Sequence, residues 1–223
     1  MSKLTVYDID EEKFSMVEEP DPSASYTYAD YLHWQFEEQL ELIRGKIFKM
    51  SPAPSPLHQK ISLVIGSIFY RKLKKTNCQA FPAPFDVRLP VRNKKKDNEI
   101  NTVVQPDLCI VCDESKIDSK GCIGSPDLIV EILSPGNSAK DVKLKFDVYE
   151  KAGVKEYWTV YPKKRTIKVE TLEEGKFQIY SEGKKAGEIK SKILDGFSVQ
   201  IEDIMPESLF ENTEKKNKNK KKE

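Results

Sequence analysis

No apolar run in the sequence approaches the length of a membrane span, which excludes a chain threaded through a bilayer by long hydrophobic helices. The first twelve residues are acidic and polar, unlike a secretory leader, so the expected location is cytoplasmic. Cysteine is scarce, with four in 223 residues: Cys78, Cys109, Cys112 and Cys122. Neither a second CxxC nor a Cys/His pair completes a tetrahedral set around Cys109 and Cys112, so a zinc site is not expected. A disulfide scaffold is not expected in a chain of this size either, and the cysteines read as free thiols. Charge of one sign is also lacking, with 37 basic residues against 36 acidic and a net charge of +1. Thr213–Glu223 hold six lysines and two glutamates, a charge of +4, which leaves −3 for everything before them. A nucleic-acid-binding core is usually more basic, so composition counts mildly against such a partner.

What is present, 38% hydrophobic and 33% charged residues over this length, suits one domain with a real core. Residues 1–25 read as an irregular acidic arm, 26–211 as a single domain, and 212–223 as a disordered lysine-rich tail that adds only non-specific attraction for phosphate. Thr27 and Asp30 predict a capped helix reaching about Glu38. The Arg44-Gly45 pair predicts a tight turn between two short strands. Ser55 and Pro56 predict a helix start, and Leu57, Ile61, Val64, Ile65 and Ile68 carry that helix to about Lys75. Phe85, Val87 and Leu89 alternate with Asp86 and Arg88 as a strand does. Val103–Val111 and Asp127–Leu133 are apolar runs of strand length. Ser138 predicts a second helix ending near Ala152 and Gly153. Strands follow at 156–161, 166–172 and 177–180, and 194–210 is expected to pack back on the body.

Three residues do not fit this pattern as core. Asp107 lies inside the run 103–111 and Glu131 inside 127–133. Strands this apolar tend to be buried on both faces, and a buried carboxylate there needs a cation or donors. Carboxylates gathered around one hard cation would satisfy that need and supply chemistry. The alternative is that each acid sits at a strand end, paired with an arginine or lysine. The third residue is Lys145. On a helical wheel it falls in the apolar arc of Val142, Phe146, Val148, Tyr149 and Ala152, which Asp141 borders, whereas Lys143 points away. A lysine facing the core needs a carboxylate to meet, unless its stem packs and its ammonium reaches solvent.

The stretches Glu41–Ile47 (ELIRGKI), 50–55 (MSPAPS) with His58, Gln105-Pro106-Asp107, Pro126–Pro135, Asp141/Lys145/Tyr149 and Gly153–Trp158 (GVKEYW) together resemble the Uma-type endonuclease family. That family, formerly a domain of unknown function, lies in the PD-(D/E)XK nuclease superfamily. The resemblance runs from about Thr27 to Phe210. It implies a mixed α/β (α+β) restriction-endonuclease-like core: a central mixed β-sheet flanked by helices, with an N-terminal helix and hairpin extension. It also implies that Asp107 is the PD aspartate and Glu131 the acid of the second element. The superfamily lysine would fall at Leu133, and Lys145 on the following helix matches the variant in which that lysine has migrated. Glu41 matches an acid the family adds to the metal site. Arg44 stands where the family usually has aspartate, which looks like turn chemistry.

The implied reaction is hydrolysis of DNA phosphodiester bonds with Mg²⁺ or Mn²⁺, held by Asp107, Glu131 and the Ile132 carbonyl, with Glu41 as a ligand or water contact. Lys145 would orient the attacking water or meet developing charge. His58, Asp141 and Tyr149 are candidates for substrate contact or for supporting the site, and His58 also reads as a structural histidine. Cutting both strands takes two sites, which argues for a homodimer. No membrane partner is expected. The rival reading is a catalytically weak or inactive nucleic-acid-binding protein on the same fold. If the site is real, Asp107 and Glu131 must share one face of neighbouring strands, with Glu41 and Lys145 converging on them.

Overall fold

A computed structural model describes residues 3–8, 13–18, 21, 23–34, 40–50, 54–91, 95–134 and 136–210. In chain order the elements begin with strands β1 (Lys3–Asp8) and β2 (Lys13–Glu18), helix α1 (Tyr28–Tyr31), strands β3 (Leu40–Ile43) and β4 (Lys46–Lys49), and helix α2 (Pro56–Leu73). Strands β5 (Gln79–Pro82), β6 (Val87–Arg88), β7 (Val103–Val104), β8 (Leu108–Val111), β9 (Ile117–Asp118), β10 (Gly121–Ile123) and β11 (Leu128–Ile132) follow. Helix α3 (Ala139–Ala152) leads to strands β12 (Glu156–Tyr161), β13 (Thr166–Glu173), β14 (Lys176–Lys184), β15 (Glu188–Lys190) and β16 (Ser198–Gln200), and to helix α4 (Ile201–Ile204).

The arrangement is mixed α+β: among the described residues twelve strands divide between two six-stranded sheets, while β1 pairs with β2 and β15 with β16. Of the two large sheets, one runs β4-β3-β7-β6-β10-β9 and the other β14-β13-β12-β11-β8-β5. Both are mixed, with β6–β10 parallel in the first and β11–β12 parallel in the second. Val103–Val111 does not form one strand. Pro106, which has no N–H to give a ladder, falls inside it. The run is therefore split into β7 and β8, one in each sheet, with Gln105-Pro106-Asp107 as the crossing.

Alternation along the second sheet fixes which side chains face where. Leu108, Ile110, Leu128, Val130, Trp158 and Val160 pack with Ile61, Ile65, Phe69 and Leu73 of α2. Cys109, Val111, Ile129 and Tyr157 take the other face, with Val148 and Tyr149 of α3 and Val87 and Val104 of the first sheet. β8 and β11 are antiparallel with Val130 opposite Leu108. The next step of that register sets Glu131 across from Asp107, on the α3 face.

Local signals act as the sequence suggests at most ends. The Ser55 hydroxyl accepts the His58 N–H, and Pro56 opens α2. Ser138 and Asp141 form a capping box on α3, which Gly153 ends at φ 83°. Arg44 and Gly45 turn between β3 and β4 with φ of 53° and 77°, and a Cβ on Gly45 would strike the Ser25 hydroxyl. Leu194, Phe197, Val199, Ile201, Ile204 and Met205 return to the core beside α2.

Four expectations need correction. The acidic arm 1–25 is not wholly irregular: β1 and β2 form an antiparallel hairpin, whose register sets Lys3 across from Glu18 and Asp8 across from Lys13. The helix from Tyr28 is a single turn, and residues 35–38 of its expected span lie outside the described residues, as does the lysine-rich tail. The strand expected from the alternation over 85–89 is only the pair Val87–Arg88, and Arg88 within it is buried. It is 2% exposed, paired with Asp118 and set over the Tyr28 ring. Finally, Cys112 is not a free thiol, because it is joined to Cys78 by a disulfide while Cys109 and Cys122 are free and buried. β5 pairs with β8, Gln79 facing Val111, which brings the flanking Cys78 and Cys112 together. That pairing is tertiary and leaves no mark on cysteine spacing. No helix among the described residues is long and apolar enough to cross a membrane.

Candidate active site

One cavity of about 200 Å³ opens where α3, the β3–β4 hairpin and the 105–107 crossing meet. Glu41 from β3, His58 from α2, Asp107 from the crossing, Glu131 and Ile132 from β11, and Asp141 and Lys145 from α3 all line it. The elements come from both sheets, so the cavity exists only once the two are joined.

The Lys145 ammonium sits between two carboxylates, 2.9 Å from Glu41 Oε1 and 3.1 Å from Glu131 Oε1. Glu131 Oε1 also accepts the Tyr149 hydroxyl at 2.6 Å. Glu41 Oε1 accepts the backbone N–H of Gln105 at 2.9 Å. Asp107 is held at both oxygens: Oδ2 accepts the Ile132 N–H at 2.7 Å, and Oδ1 lies 3.2 Å from His58 Nε2. Its bond to the β11 backbone follows from the register that sets it opposite Glu131. Asp141 Oδ2 accepts from the Ser138 N–H and hydroxyl, so it acts mainly as a helix cap at the rim. Lys143 points out to solvent and pairs with Asp147.

The electrostatics follow from burial and crowding of like charge. Burial pushes the Glu131 carboxyl up to about 7; the Lys145 ammonium pulls it back, while Asp107 and Glu41 push it further. Burial alone would lower the Lys145 pKa, but Glu131 and Glu41 outweigh it and hold the ammonium firmly protonated. Burial also opposes the imidazolium form of His58, yet the bond and charge of Asp107 prevail and its pKa is raised. The Tyr149 hydroxyl is pushed well up, by burial first and then by Glu131, so it stays a donor.

Apart from Tyr149, which is buried and donates to Glu131, the residues singled out in the sequence as site candidates line one cleft, and Lys145 rather than Lys143 faces it. Among the described residues, no three His, Cys, Asp or Glu side chains are gathered tightly enough to ligate one ion as they stand. Sequence reasoning gave no role to Gln105, Asp86 or Tyr31, although Gln105 lies within a motif it used. Their link is a network of side-chain bonds across three separate elements, for which sequence has no periodic signal.

Comparisons with known proteins bear on the family and the fold. The sequence model of the Uma2 family, described as "Putative restriction endonuclease", matches residues 28–202. "Uncharacterized protein slr1290" of Synechocystis sp. is 29% identical over 122 residues, covering 54% of this chain and 60% of that relative's length. A crystal structure described as a putative nuclease belonging to DUF820, from Anabaena variabilis, superposes with a TM-score of 0.62 at 21% identity. It covers 80% of this chain and 97% of that one. At that identity the likeness establishes the shared fold.

Proposed function

The chain belongs to the Uma2 family, whose description is that of a restriction-type nuclease, and on that premise we propose that it is a divalent-metal-dependent endonuclease hydrolysing phosphodiester bonds of DNA. The observation that carries this reading is the convergence of Glu41, Asp107, Glu131 and Lys145 on one cavity from four separate elements. Three carboxylates face one ammonium and one imidazole there, and burial first, with Asp107 and Glu41 adding to it against the pull of Lys145, raises the Glu131 pKa.

The donors are hard oxygens, which suit Mg²⁺ or Mn²⁺, and such an ion needs only one or two protein carboxylates because it keeps several waters. The residues present therefore fit the ion. Asp107, Glu131 and the Ile132 carbonyl would hold it, with Glu41 contributing directly or through water. When bound, it would lower the pKa of a water and screen phosphate charge.

The rest falls to the chain's own side chains. Lys145, charged and aimed into the cavity, meets negative charge as it develops on the phosphate or steadies the attacking water. Tyr149 fixes one Glu131 oxygen by donating to it. His58 and the Ile132 N–H hold the Asp107 carboxylate from two sides. Cutting both strands of a duplex would take two such clefts, and so a homodimer, which sedimentation would reveal.

The test is cleavage of supercoiled, linear duplex, single-stranded and RNA substrates with added Mg²⁺ or Mn²⁺, beside an Asp107→Ala variant. Metal-dependent cleavage lost in the variant supports the proposal. Binding to DNA without cleavage under any metal would replace it with an inactive nucleic-acid-binding protein.

A further inference from the structure

Glu41 poses a problem of registration. It comes from the first sheet, whereas Glu131 belongs to the second and Asp107 to the crossing just before β8, and β3 is tied to β7 through the single ladder pair Leu42–Val103. Something must set the Glu41 carboxylate against the others. Its partners are Lys145, on a third element, and the backbone N–H of Gln105, at the start of the crossing between the sheets.

Gln105 is itself anchored from outside the cleft. Its Nε2 donates to Asp86 Oδ1 at 2.8 Å and to the Tyr31 hydroxyl at 3.3 Å, so both amide hydrogens are committed. Asp86 also accepts the Tyr28 hydroxyl at 3.1 Å and the Tyr31 hydroxyl at 3.4 Å. Turning the amide over would set its oxygen against the Asp86 carboxylate, so this orientation is the only favourable one. The cost is visible: Gln105 Oε1 is buried with no partner. An amide that gives up its acceptor in order to keep two donors engaged is held for its position.

We infer that Asp86 and Tyr31 are positioning residues for the cleft: by gripping the Gln105 side chain they aim the Gln105 backbone N–H at Glu41 and so fix how that carboxylate faces Asp107 and Glu131. The inference rests on reading the cleft as a cation-holding nuclease site.

The experiment uses the full chain with Asp86→Asn, Tyr31→Phe and Tyr28→Phe. Three quantities are read: hydrogen exchange of the Gln105 amide without metal, Mn²⁺ affinity by calorimetry, and melting temperature. Asp86→Asn and Tyr31→Phe should speed exchange at Gln105 about tenfold, as expected when a bond to a charged acceptor loosens. Both should weaken Mn²⁺ binding about tenfold, the scale on which residues behind metal ligands act. Tyr28 is more deeply buried than Tyr31, and its hydroxyl donates to Asp86 Oδ2, the oxygen that does not accept from Gln105. Tyr28→Phe should therefore lower melting at least as much as Tyr31→Phe while moving the other two readings less.

Unchanged Gln105 exchange in both Asp86→Asn and Tyr31→Phe would overturn the inference. So would effects on Mn²⁺ that simply follow melting across the three variants. Wild-type protein that neither binds Mn²⁺ nor cleaves would instead sink the nuclease reading, and the exchange rates would still decide whether Gln105 is gripped as stated.

Discussion

Replacing Lys145 by methionine keeps most of the stem and removes the ammonium, its charge and its donors together. The ammonium is the shared counter-ion of Glu41 and Glu131, at 2.9 and 3.1 Å, and its side chain is 20% exposed against 5% and 10% for theirs. At an effective dielectric of about 20, each contact is worth roughly 5 kcal/mol of attraction before desolvation is counted. The net loss on breaking a buried pair is about 3–5 kcal/mol, because the stranded carboxylates become the larger cost. For a domain of this size that is a fall of about 6–20 °C in melting temperature. The same change should sharpen metal binding, since a divalent cation becomes the main compensation for three carboxylates and no longer competes with an ammonium. Mn²⁺ should bind Lys145→Met at least about tenfold more tightly than wild type, and a concentration of about 100 Kd should return roughly 2.7 kcal/mol of stability. Cleavage should nevertheless fall by about 10²–10³, the usual cost of losing one stabilising donor. Calorimetric titration with Mn²⁺, melting with and without the ion, and single-turnover cleavage read the three effects separately. Lys143→Met, which loses only an exposed pair with Asp147, is the control. Equal or weaker Mn²⁺ affinity in Lys145→Met would refute the view of the ammonium as an internal competitor for the metal's place.

Glu131 carries its proton up to about pH 7, against an ordinary value of 4.5. A raised folded-state value means its contribution to stability is complete below about 4.5 and is lost as pH rises through 7. Metal-free wild type should thus lose stability between pH 5 and 8, and Glu131→Gln should lose less over that range; parallel melting curves for the two would contradict this. Glu156 is fully buried and accepts from Trp158 Nε1 at 2.6 Å and from the N–H groups of Lys192 and Ile193 at 2.7 and 3.1 Å. Glu156→Ala strands three donors and should cost on the order of 3–5 kcal/mol in urea unfolding, with per-molecule cleavage intact in the folded fraction. Deleting 213–223 removes a charge of +4. It should weaken DNA binding and flatten its salt dependence while leaving Mn²⁺ affinity and saturated cleavage unchanged.

What the sequence could disclose was whatever is periodic or local. The α2 and α3 boundaries were legible because Ser55-Pro56, Ser138 with Asp141, and Gly153 act on their own backbone neighbourhood. Lys145 was legible because a 3.6-residue period exposes a charge on an apolar face. Asp107 and Glu131 were legible because carboxylates interrupt apolar runs, although one run proved to be two strands in different sheets. Pro106 was the available sign of that break. Pairing between distant strands was not legible. The Cys78–Cys112 disulfide depends on β5 lying beside β8, and the Asp86–Gln105–Glu41 chain depends on three elements meeting.

The charge argument against a nucleic-acid partner changes once burial is known. The −3 that remains without the tail treats every acid as if it faced solvent. Among the described residues, Glu41, Asp127, Glu131, Glu156 and Glu170 are buried, and of the arginines and lysines only Arg88 is. Asp127, Glu156 and Glu170 are spent on backbone N–H groups, an indole or a lysine. Glu41 and Glu131 face the cavity and clamp Lys145. None of these five presents a free anion to a phosphate chain lying across the surface. Removing the five acids and Arg88 from the count moves the surface of the core four units toward positive. Net charge of the whole chain was therefore the wrong quantity. Of the five, only Glu41 and Glu131 line the cavity, and under the proposed metal-dependent reading an ion bound there would stand between them and an incoming phosphate, so an excess of acid in the chain does not argue against an anionic partner.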